Sequence, residues 1–222
     1  MARIAFVGGT GPEGLGLALR FALAGEEVVL GSRDPGRAEQ AAQELRRRAA
    51  PYRPDASIDG TSNGTAVSGA DLVALTLPFA AVESQLRDLG PALQGKTILD
   101  VVNPLTRQEG LFRLLPIATG SAAEHIQQLV PGVPVVSGFK NLSAKQLLAI
   151  EQPLRGDVLL CSDVAAATSF FSELIRRIPH LRPVDAGTLG NARHLESVSA
   201  LLLNLNTRYR AVTSIEILGL DR

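Results

Sequence analysis

A single cysteine, a net charge of zero and the lack of any long apolar run limit what this chain of 222 residues can be. Cys161 has no partner for an internal disulfide, which favours the cytoplasm as the compartment. The 22 basic and 22 acidic residues cancel, so no overall positive field would attract nucleic acid or an anionic membrane. No run of about eighteen uninterrupted apolar residues is present for a membrane span. We therefore expect neither nucleic acid nor a membrane as a partner, and any anion site must be built locally.

Short apolar runs alternate with segments of helical length and period, which predicts βαβ units around a parallel sheet. Strands are predicted at residues 3–7, 27–30, 57–58, 71–77, 97–102, 134–138 and 157–161, and the sheet is expected to extend to 183–185. Helices are predicted at 12–24, 35–49, from 78 to about 89, at 121–129, from 143 and at 164–178. The predicted fold class is therefore α/β, a Rossmann-type doubly wound and mostly parallel sheet.

The pattern changes near the C-terminal end of the chain. Residues 191–218 predict one long or broken helix, and its run Ala200-Leu-Leu-Leu is more apolar than a solvated surface helix should be. A boundary near residue 185 therefore divides a sheet domain, 1–185, from a small C-terminal helical region, 186–222. We expect the terminal helices to pack on the sheet domain and against a second copy of themselves, which predicts a homodimer.

A glycine-rich turn follows the first predicted strand. Gly9, Gly11 and Gly14 form the pattern G-x-G-x-x-G at the start of a helix. In that place the glycines permit a tight turn, let a pyrophosphate approach the backbone and let the helix pack on the strand, while the helix N-terminus offers N–H groups to the phosphates. The same pattern alone could reflect packing only, but its place in an alternating chain favours a dinucleotide site.

The end of the second strand indicates which dinucleotide. An NAD site usually has an acidic residue there, whereas this strand ends in Gly31-Ser32-Arg33. Ser32, Arg33 and Arg37 offer a hydroxyl and two guanidinium groups to a 2′-phosphate, so NADP is favoured and residues 1–185 are predicted to be an NADP-binding domain. The alternative is that both arginines are solvated charges at a helix start, where Asp34 is expected as the N-cap.

Ligands of open α/β sheets lie at the carboxyl ends of the strands. Leu77-Pro78 and Val102-Asn103-Pro104 should therefore line the nicotinamide pocket, although each proline also terminates a strand. No Ser-His-Asp or Cys-His set is recognisable, and the three histidines lack metal-ligand spacing. Only Lys140 and His194 are candidates for an acid or base, and each is more often a surface group or a phosphate contact. Such a site suits hydride exchange between two organic cofactors, which needs mainly apposed rings and a dipole.

Several segments together resemble one family. They are Ile4-Ala-Phe-Val-Gly-Gly-Thr-Gly-Pro-Glu-Gly-Leu-Gly-Leu-Ala-Leu-Arg20, Gly31-Ser-Arg33, Leu75-Thr-Leu-Pro78, Gly120-Ser-Ala-Ala-Glu124 and Leu181-Arg-Pro-Val-Asp-Ala-Gly-Thr-Leu-Gly-Asn-Ala-Arg-His-Leu-Glu-Ser197. The chain resembles, over nearly its whole length, the F420H2:NADP oxidoreductases, also called NADPH-dependent F420 reductases. The glycine loop is common to many enzymes, whereas the Arg-Pro-x-Asp-Ala-Gly block is much narrower.

The resemblance implies direct hydride transfer between C4 of the nicotinamide and C5 of the deazaflavin, coenzyme F420, in a homodimer. The deazaflavin would lie between the sheet domain and the C-terminal helices. By matched motif, the pyrophosphate would be held by Thr10, Gly11, Pro12 and Glu13, and the 2′-phosphate by Ser32, Arg33 and Arg37. The nicotinamide would be bordered by Leu77, Pro78, Ala81, Val102 and Ala144, and the deazaflavin by Lys140, Leu142, Gly187, Thr188, Leu189 and Ile215.

Position 140 departs from the family pattern, which has histidine where this chain has Lys140. We hypothesise that Lys140 stabilises negative charge on the reduced deazaflavin or binds its anionic tail. Two other functions remain open at this point. One keeps NADPH and changes the acceptor to a flavin, a ferric chelate or an imine, and the other is a non-catalytic NADP sensor whose dimer contacts respond to the cofactor.

Overall fold

Ten strands and eight helices are described within residues 1–220, the part of the chain that the computed structural model covers. The strands are β1 (Arg3–Val7), β2 (Glu27–Ser32), β3 (Ile58–Ser62), β4 (Leu72–Leu75), β5 (Thr97–Asp100), β6 (Leu105–Gln108), β7 (Leu111–Leu114), β8 (Val135–Ser137), β9 (Gly156–Leu160) and β10 (Leu181–Asp185). The helices are α1 (Pro12–Leu23), α2 (Pro35–Ala49), α3 (Asn63–Ser68), α4 (Val82–Leu89), α5 (Ala122–Leu129), α6 (Ala144–Leu148), α7 (Ala165–Arg176) and α8 (Ala192–Tyr209).

Six parallel strands form the central sheet in the order β3-β2-β1-β4-β5-β8. The chain winds outward from β1 to β3 on one side and from β4 to β8 on the other, so the direction of winding reverses between β1 and β4. Every residue of β4 is buried because helices cover both faces, which explains why its sequence is apolar without alternation. The predicted doubly wound Rossmann-type fold is confirmed, and its ligand crevice belongs at the carboxyl ends of β1 and β4.

The prediction that this sheet extends through residues 157–161 and 183–185 is wrong. Strands β9 and β10 form a separate parallel pair, joined to β8 by one antiparallel bridge between Ser137 and Cys161. The two backbone N–O distances of that bridge are 2.9 and 3.0 Å. Directly beyond this bridge, the Ser162 hydroxyl donates to the carbonyl of Val135 at 2.7 Å.

Two elements were not predicted from the sequence. Strands β6 and β7 form a hairpin whose turn residues Glu109 and Gly110 both have positive φ, the geometry of a two-residue hairpin turn. Helix α8 holds this hairpin, since the Asn204 side chain exchanges two hydrogen bonds with the backbone of Phe112 at 2.8 and 2.9 Å. The short helix α3 is the other, and it begins beside the glycine-rich turn.

The C-terminal helix is shorter than predicted. It ends at Tyr209, where Arg210 adopts the left-handed conformation, and the chain then turns back along β9. The Asp157 amide donates to the carbonyl of Ile215 at 2.9 Å, which ties this returning segment to the smaller sheet. Of the apolar run in α8, Leu202 is buried while Leu201 is 57% exposed, so the described residues cover only one side of the helix. None of the helices in residues 1–220 combines the length and apolar character needed to cross a bilayer.

Candidate active site

The glycine-rich turn connects β1 to α1, and its glycines serve different purposes. A Cβ atom on Gly9 would lie 2.7 Å from the carbonyl oxygen of Phe6, and one on Gly14 would lie 2.7 Å from the Cα of Gly9. These two glycines therefore allow the turn and the helix to pack. A Cβ on Gly11 would have only the carbonyl of Gly8 nearby, at 3.8 Å. The surface beside Gly11 is open, as the approach of a pyrophosphate to the backbone requires.

The N-terminus of α1 is free to bind an anion. Gly11 is its N-cap and provides no side chain for the unpaired N–H groups of the first turn, and Pro12 follows in the first helical position. Behind the turn, the Asn63 side chain accepts a hydrogen bond from the Gly8 amide at 3.2 Å. Asn63 thus fixes the conformation of the turn from α3. Sequence analysis missed this residue, since an asparagine 55 positions away in the chain gives no local signal.

The predicted 2′-phosphate residues lie together at the end of β2. Asp34 is the N-cap of α2, as predicted, and its side chain accepts hydrogen bonds from the amides of Gly36 and Arg37. Ser32 is buried, and its hydroxyl accepts from the Asp34 amide at 3.1 Å. Arg33 and Arg37 are exposed, and within the described residues neither guanidinium forms an ion pair. Two uncompensated positive charges beside the turn fit the anionic 2′-phosphate of NADP better than the uncharged ribose hydroxyls of NAD.

A cavity of about 270 Å³ lies at the carboxyl ends of β1, β5 and β8. Its wall comprises Glu13 from α1, Asn103 after β5, residues 140–144 after β8, Ser199, Leu202, Leu203 and Asn206 from α8, and Thr213. The volume is near the lower end of ligand pockets, which suits one ring system rather than a whole dinucleotide. Lys140, Leu142, Ala144 and Asn103 were predicted to contact a cofactor, and the fold brings them into this one wall.

Three wall residues have buried oxygen atoms without a hydrogen-bond partner in the described structure: Glu13 Oε1, Asn103 Oδ1 and Asn141 Oδ1. Both amides are oriented by their nitrogens, because Asn103 Nδ2 donates to the carbonyl of Lys140 at 3.3 Å and Asn141 Nδ2 donates to that of Asp157 at 2.7 Å. Burial raises the pKa of Glu13 to about 8, so this carboxyl holds a proton at neutral pH. The wall therefore has unused hydrogen-bonding capacity.

The structure corrects the interpretation of Lys140 as a surface group. Its ammonium is fully buried, 2.8 Å from Asp100 Oδ2 and 3.3 Å from Glu196 Oε1, and it also donates to the carbonyl of Val102. A buried ammonium needs such partners because an uncompensated charge there would be very costly. Lys140 thus ties β5, the loop after β8 and α8 together beneath the cavity. Neither carboxylate was predicted, since both are distant in sequence.

Glu196 is the titratable member of this ion cluster near neutral pH. Burial raises its pKa to about 7, the negative charge of Asp100 adds to the rise, and the Lys140 ammonium opposes it. Its Oε1 atom also accepts a hydrogen bond from the amide of Ala122 at 3.0 Å, at the start of α5. The cluster therefore joins the first turn of α5 to α8 as well.

Other predicted cofactor residues lie outside the cavity wall. Gly187, Thr188 and Ile215 are not part of it, and the Leu189 side chain is buried in the hydrophobic core. Val102 is also a core residue at 2% exposure, whereas Leu77 is half-buried beside Gly8. Pro78 precedes the 3₁₀ turn Phe79–Ala81 that follows β4, and Ala81 is the last residue of that turn. Within the described chain, one group of predicted cofactor residues therefore lines the cavity, and the residues named in this paragraph lie outside its wall.

The remaining functional side chains of interest are few. Cys161 is buried, and burial raises the pKa of its thiol to about 11, so it is not a nucleophile. Within residues 1–220 no three His, Cys, Asp or Glu side chains are grouped so as to hold a metal ion. A larger cavity of about 690 Å³ lies along β9 and β10, but its wall contains no residue of the glycine-rich turn. We therefore place the candidate site at the turn and the smaller cavity.

Known proteins resemble this chain in sequence and in fold. Residues 3–104 match the family model described as NADP oxidoreductase, coenzyme F420-dependent. The chain is 39% identical over 212 residues to the F420-dependent NADP reductase of Methanothermobacter thermautotrophicus, covering 94% of this chain and 90% of that protein. A solved structure from Arthrobacter sp. fb24, provisionally assigned as an F420-dependent NADP reductase, superimposes with a TM-score of 0.80 at 25% identity and covers 98% of this chain and 99% of that one.

A second kind of relative matches less completely. The metalloreductase STEAP3 of Rattus norvegicus is 31% identical over 195 residues, which covers 88% of this chain but only 36% of that protein. The reductases named for F420 and NADP, in contrast, match over 94 to 99% of this chain and 90 to 99% of their own length. On that whole-length similarity, the chain belongs to the family of F420-dependent NADP reductases.

Proposed function

We propose that this chain is an oxidoreductase that transfers a hydride directly between NADP(H) and the deazaflavin coenzyme F420. The observation that carries the proposal is identity of 39 to 40% to F420-dependent NADP reductases over 94% of the chain. In the reducing direction for the deazaflavin, the C4–H bond of NADPH breaks and a C–H bond forms at C5. The nicotinamide is oxidised to NADP⁺, and one proton from solvent completes the reduced deazaflavin.

The residues at the turn fit NADP. We assign the pyrophosphate to the backbone of residues 9–14, because the N-terminus of α1 is free and the surface at Gly11 is open. Ser32, Arg33 and Arg37 are assigned to the 2′-phosphate, since the two guanidinium groups are exposed and unpaired within the described residues. The nicotinamide is assigned to the space between Leu77-Pro78 and the cavity.

The cavity is suited to hold the nicotinamide and deazaflavin rings against each other. Its apolar wall, with Leu142, Leu202 and Leu203, excludes water from a hydride in transit, and the polar side chains opposite can orient a ring. No nucleophile or metal is required, because the two cofactors supply the redox chemistry and the chain holds them in place. Gly187, Thr188, Leu189 and Ile215 remain proposed deazaflavin contacts that the single described chain does not bring to this wall.

We also propose a homodimer and a cytoplasmic enzyme. Leu201 on α8 and Leu218 beyond it are exposed apolar side chains that a second copy would cover. We further propose a division into a sheet domain ending at residue 185 and a C-terminal helical region, for which the end of β10 at Asp185 is the support. Sedimentation of the purified chain tests the assembly: a species of twice the 23.4 kDa chain mass is expected.

The activity is tested by mixing the purified protein with NADPH and oxidised F420 and following loss of the deazaflavin's visible absorbance. We expect rapid bleaching with NADPH and little with NADH. FMN, a ferric chelate, an imine and an enzyme-free sample are the controls. Tight NADPH binding without bleaching would contradict the proposed acceptor and favour one of these others, and turnover of none of them would favour a sensor.

Alanine substitutions at two glycines of the turn test the proposed pyrophosphate site, because Gly11 faces open space and Gly14 is closely packed. Gly11→Ala should lower the free energy of unfolding by no more than about 1 kcal/mol, the cost of alanine at an N-cap, since the backbone there (φ −80°, ψ 163°) accepts alanine and no atom is displaced. Its affinity for NADP⁺ should fall at least about tenfold, because the new methyl group occupies the approach of the pyrophosphate. Gly14→Ala should instead destabilise the fold by about 1–3 kcal/mol through overpacking. Titration calorimetry measures the affinity for NADP⁺, and denaturant unfolding measures the stability of each variant. Equal losses of stability in Gly11→Ala and Gly14→Ala would contradict the assignment of Gly11 to ligand binding and Gly14 to packing.

A further inference from the structure

The three unpartnered oxygens of the cavity wall carry an inference about how a ligand ring is recognised. A buried polar atom without a hydrogen bond costs about 1–3 kcal/mol, so native proteins seldom keep several in one place. Glu13 Oε1, Asn103 Oδ1 and Asn141 Oδ1 come from three separate segments of the chain, after β1, β5 and β8, and meet at one cavity. Their common need is a donor from a molecule that enters the cavity.

The two asparagines define the kind of donor. The nitrogens of both are already engaged by backbone carbonyls, which can only accept, so the orientation of each amide is settled and its oxygen is left as an acceptor. A ligand with only acceptor atoms at its edge would leave these oxygens unsatisfied. The ligand atom facing them must carry hydrogen.

Glu13 adds a second requirement. Because burial favours its neutral form, the carboxyl group has both an O–H donor and a C=O acceptor at neutral pH. The group that matches a neutral carboxylic acid is an amide edge, in which N–H and C=O lie side by side. A charged carboxylate would also repel the phosphates that are assigned to the neighbouring backbone of the same turn.

We propose that Glu13, Asn103 and Asn141 form a subsite for the amide edge of the reacting ring, with the Glu13 side chain as its centre. The inference rests on the proposed function for the identity of the ligands. The amide edge is either the carboxamide of the nicotinamide or the cyclic imide of the deazaflavin. The carboxamide is favoured because Glu13 belongs to the same turn as the pyrophosphate site, and one dinucleotide can span both.

Binding of matched ligand pairs tests the subsite without any turnover. The first pair is NADP⁺ and its 3-acetylpyridine analogue, in which a methyl group replaces the amide NH₂. The second is a deazaflavin and its N3-methyl derivative. In one of the two pairs, the wild-type protein should bind the ligand without the N–H group roughly tenfold more weakly than its amide partner. This is the size expected for one buried hydrogen bond. Titration calorimetry or fluorescence quenching gives each dissociation constant.

Variants of Glu13 identify the partner of that N–H group. In Glu13→Ala the preference for the amide ligand over its analogue should fall to within about twofold, and Glu13→Gln should keep most of it because glutamine retains a carbonyl acceptor. Gln146→Ala is the matched control: Gln146 Oε1 is also buried and unpartnered but lies outside the cavity wall, so the preference should stay at the wild-type value. Thermal unfolding of each variant shows that it is folded.

The outcomes separate this inference from the proposed function. Loss of preference in the first pair assigns the subsite to the nicotinamide, and loss in the second assigns it to the deazaflavin. Preference that is unchanged in Glu13→Ala for both pairs overturns the subsite, even if F420 is bleached normally. Conversely, an enzyme that fails to bleach F420 but loses its carboxamide preference in Glu13→Ala refutes the acceptor and leaves the subsite intact.

Discussion

Replacing Arg33 and Arg37 together with serine should lower the affinity for NADPH by about 100-fold and leave the affinity for NADH within about twofold. A charge-assisted hydrogen bond from a guanidinium to a phosphate contributes about 1.5–3 kcal/mol in a buried setting. Both side chains are exposed, so we expect only about tenfold from each. NADH lacks the 2′-phosphate and cannot report the loss.

A matched control comes from the same helix. Arg47 lies in the last turn of α2, is well exposed and pairs with Glu44 at 2.6 Å, so Arg47→Ser removes one positive charge, as each single substitution does, far from the end of β2. Its NADPH affinity should remain near the wild-type value. Dissociation constants measured at two salt concentrations check the assignment, since the difference between wild type and the double variant should shrink at high salt. An unaltered preference for NADPH in the double variant would place the 2′-phosphate elsewhere.

Lys140→Met should destabilise the fold by about 3–5 kcal/mol, because it leaves the buried carboxyl groups of Asp100 and Glu196 without their cation. The loss should be larger at pH 8 than at pH 5. Burial raises the pKa of Glu196 to about 7 from an unfolded value near 4.5, so the stability that its neutral form contributes is complete below about pH 4.5 and is lost as pH rises through about 7. At pH 8 Glu196 is ionised and depends on Lys140.

Denaturant unfolding at the two pH values measures this effect. Lys145→Met is the control, because Lys145 is exposed on α6 and makes no ion pair within the described residues, so a change within about 0.5 kcal/mol is expected. Deazaflavin affinity is measured in parallel. A Lys140→Met protein of normal stability with weakened deazaflavin binding would restore the direct role for this side chain that its burial argues against.

Much of the fold follows from local sequence patterns. The β1 strand, the glycine-rich turn and α1 are adjacent in the chain, and their apolar run, glycines and Pro12 predict them directly. The short hairpin of β6 and β7 gave no such signal, because its strands are half-exposed and its turn has Glu109 where asparagine is typical. The end of the central sheet at β8 was also missed, since the apolar run of β9 gives no local sign that it pairs with β10 and meets β8 at a single bridge.

The candidate site likewise contains residues that local sequence patterns predict and residues that they do not. Residues on the turn and at the end of β2 were predicted because phosphate binding requires backbone and charge in a fixed local order. Asn63, Asp100 and Glu196 were not, because each acts on a residue far along the chain. The burial of Lys140 could not be predicted from its own surroundings in sequence. It follows from partners that only the folded chain brings within reach.

The buried cluster also restricts how relatives of this chain can diverge. Positions 100, 140 and 196 share one cation and two acidic groups in a space closed to water. A histidine at position 140 is shorter than lysine and could not place its N–H groups within reach of both acidic partners and the carbonyl of Val102. We therefore expect correlated substitutions at these three positions among homologous sequences: a homologue without the lysine should also differ at position 100 or 196.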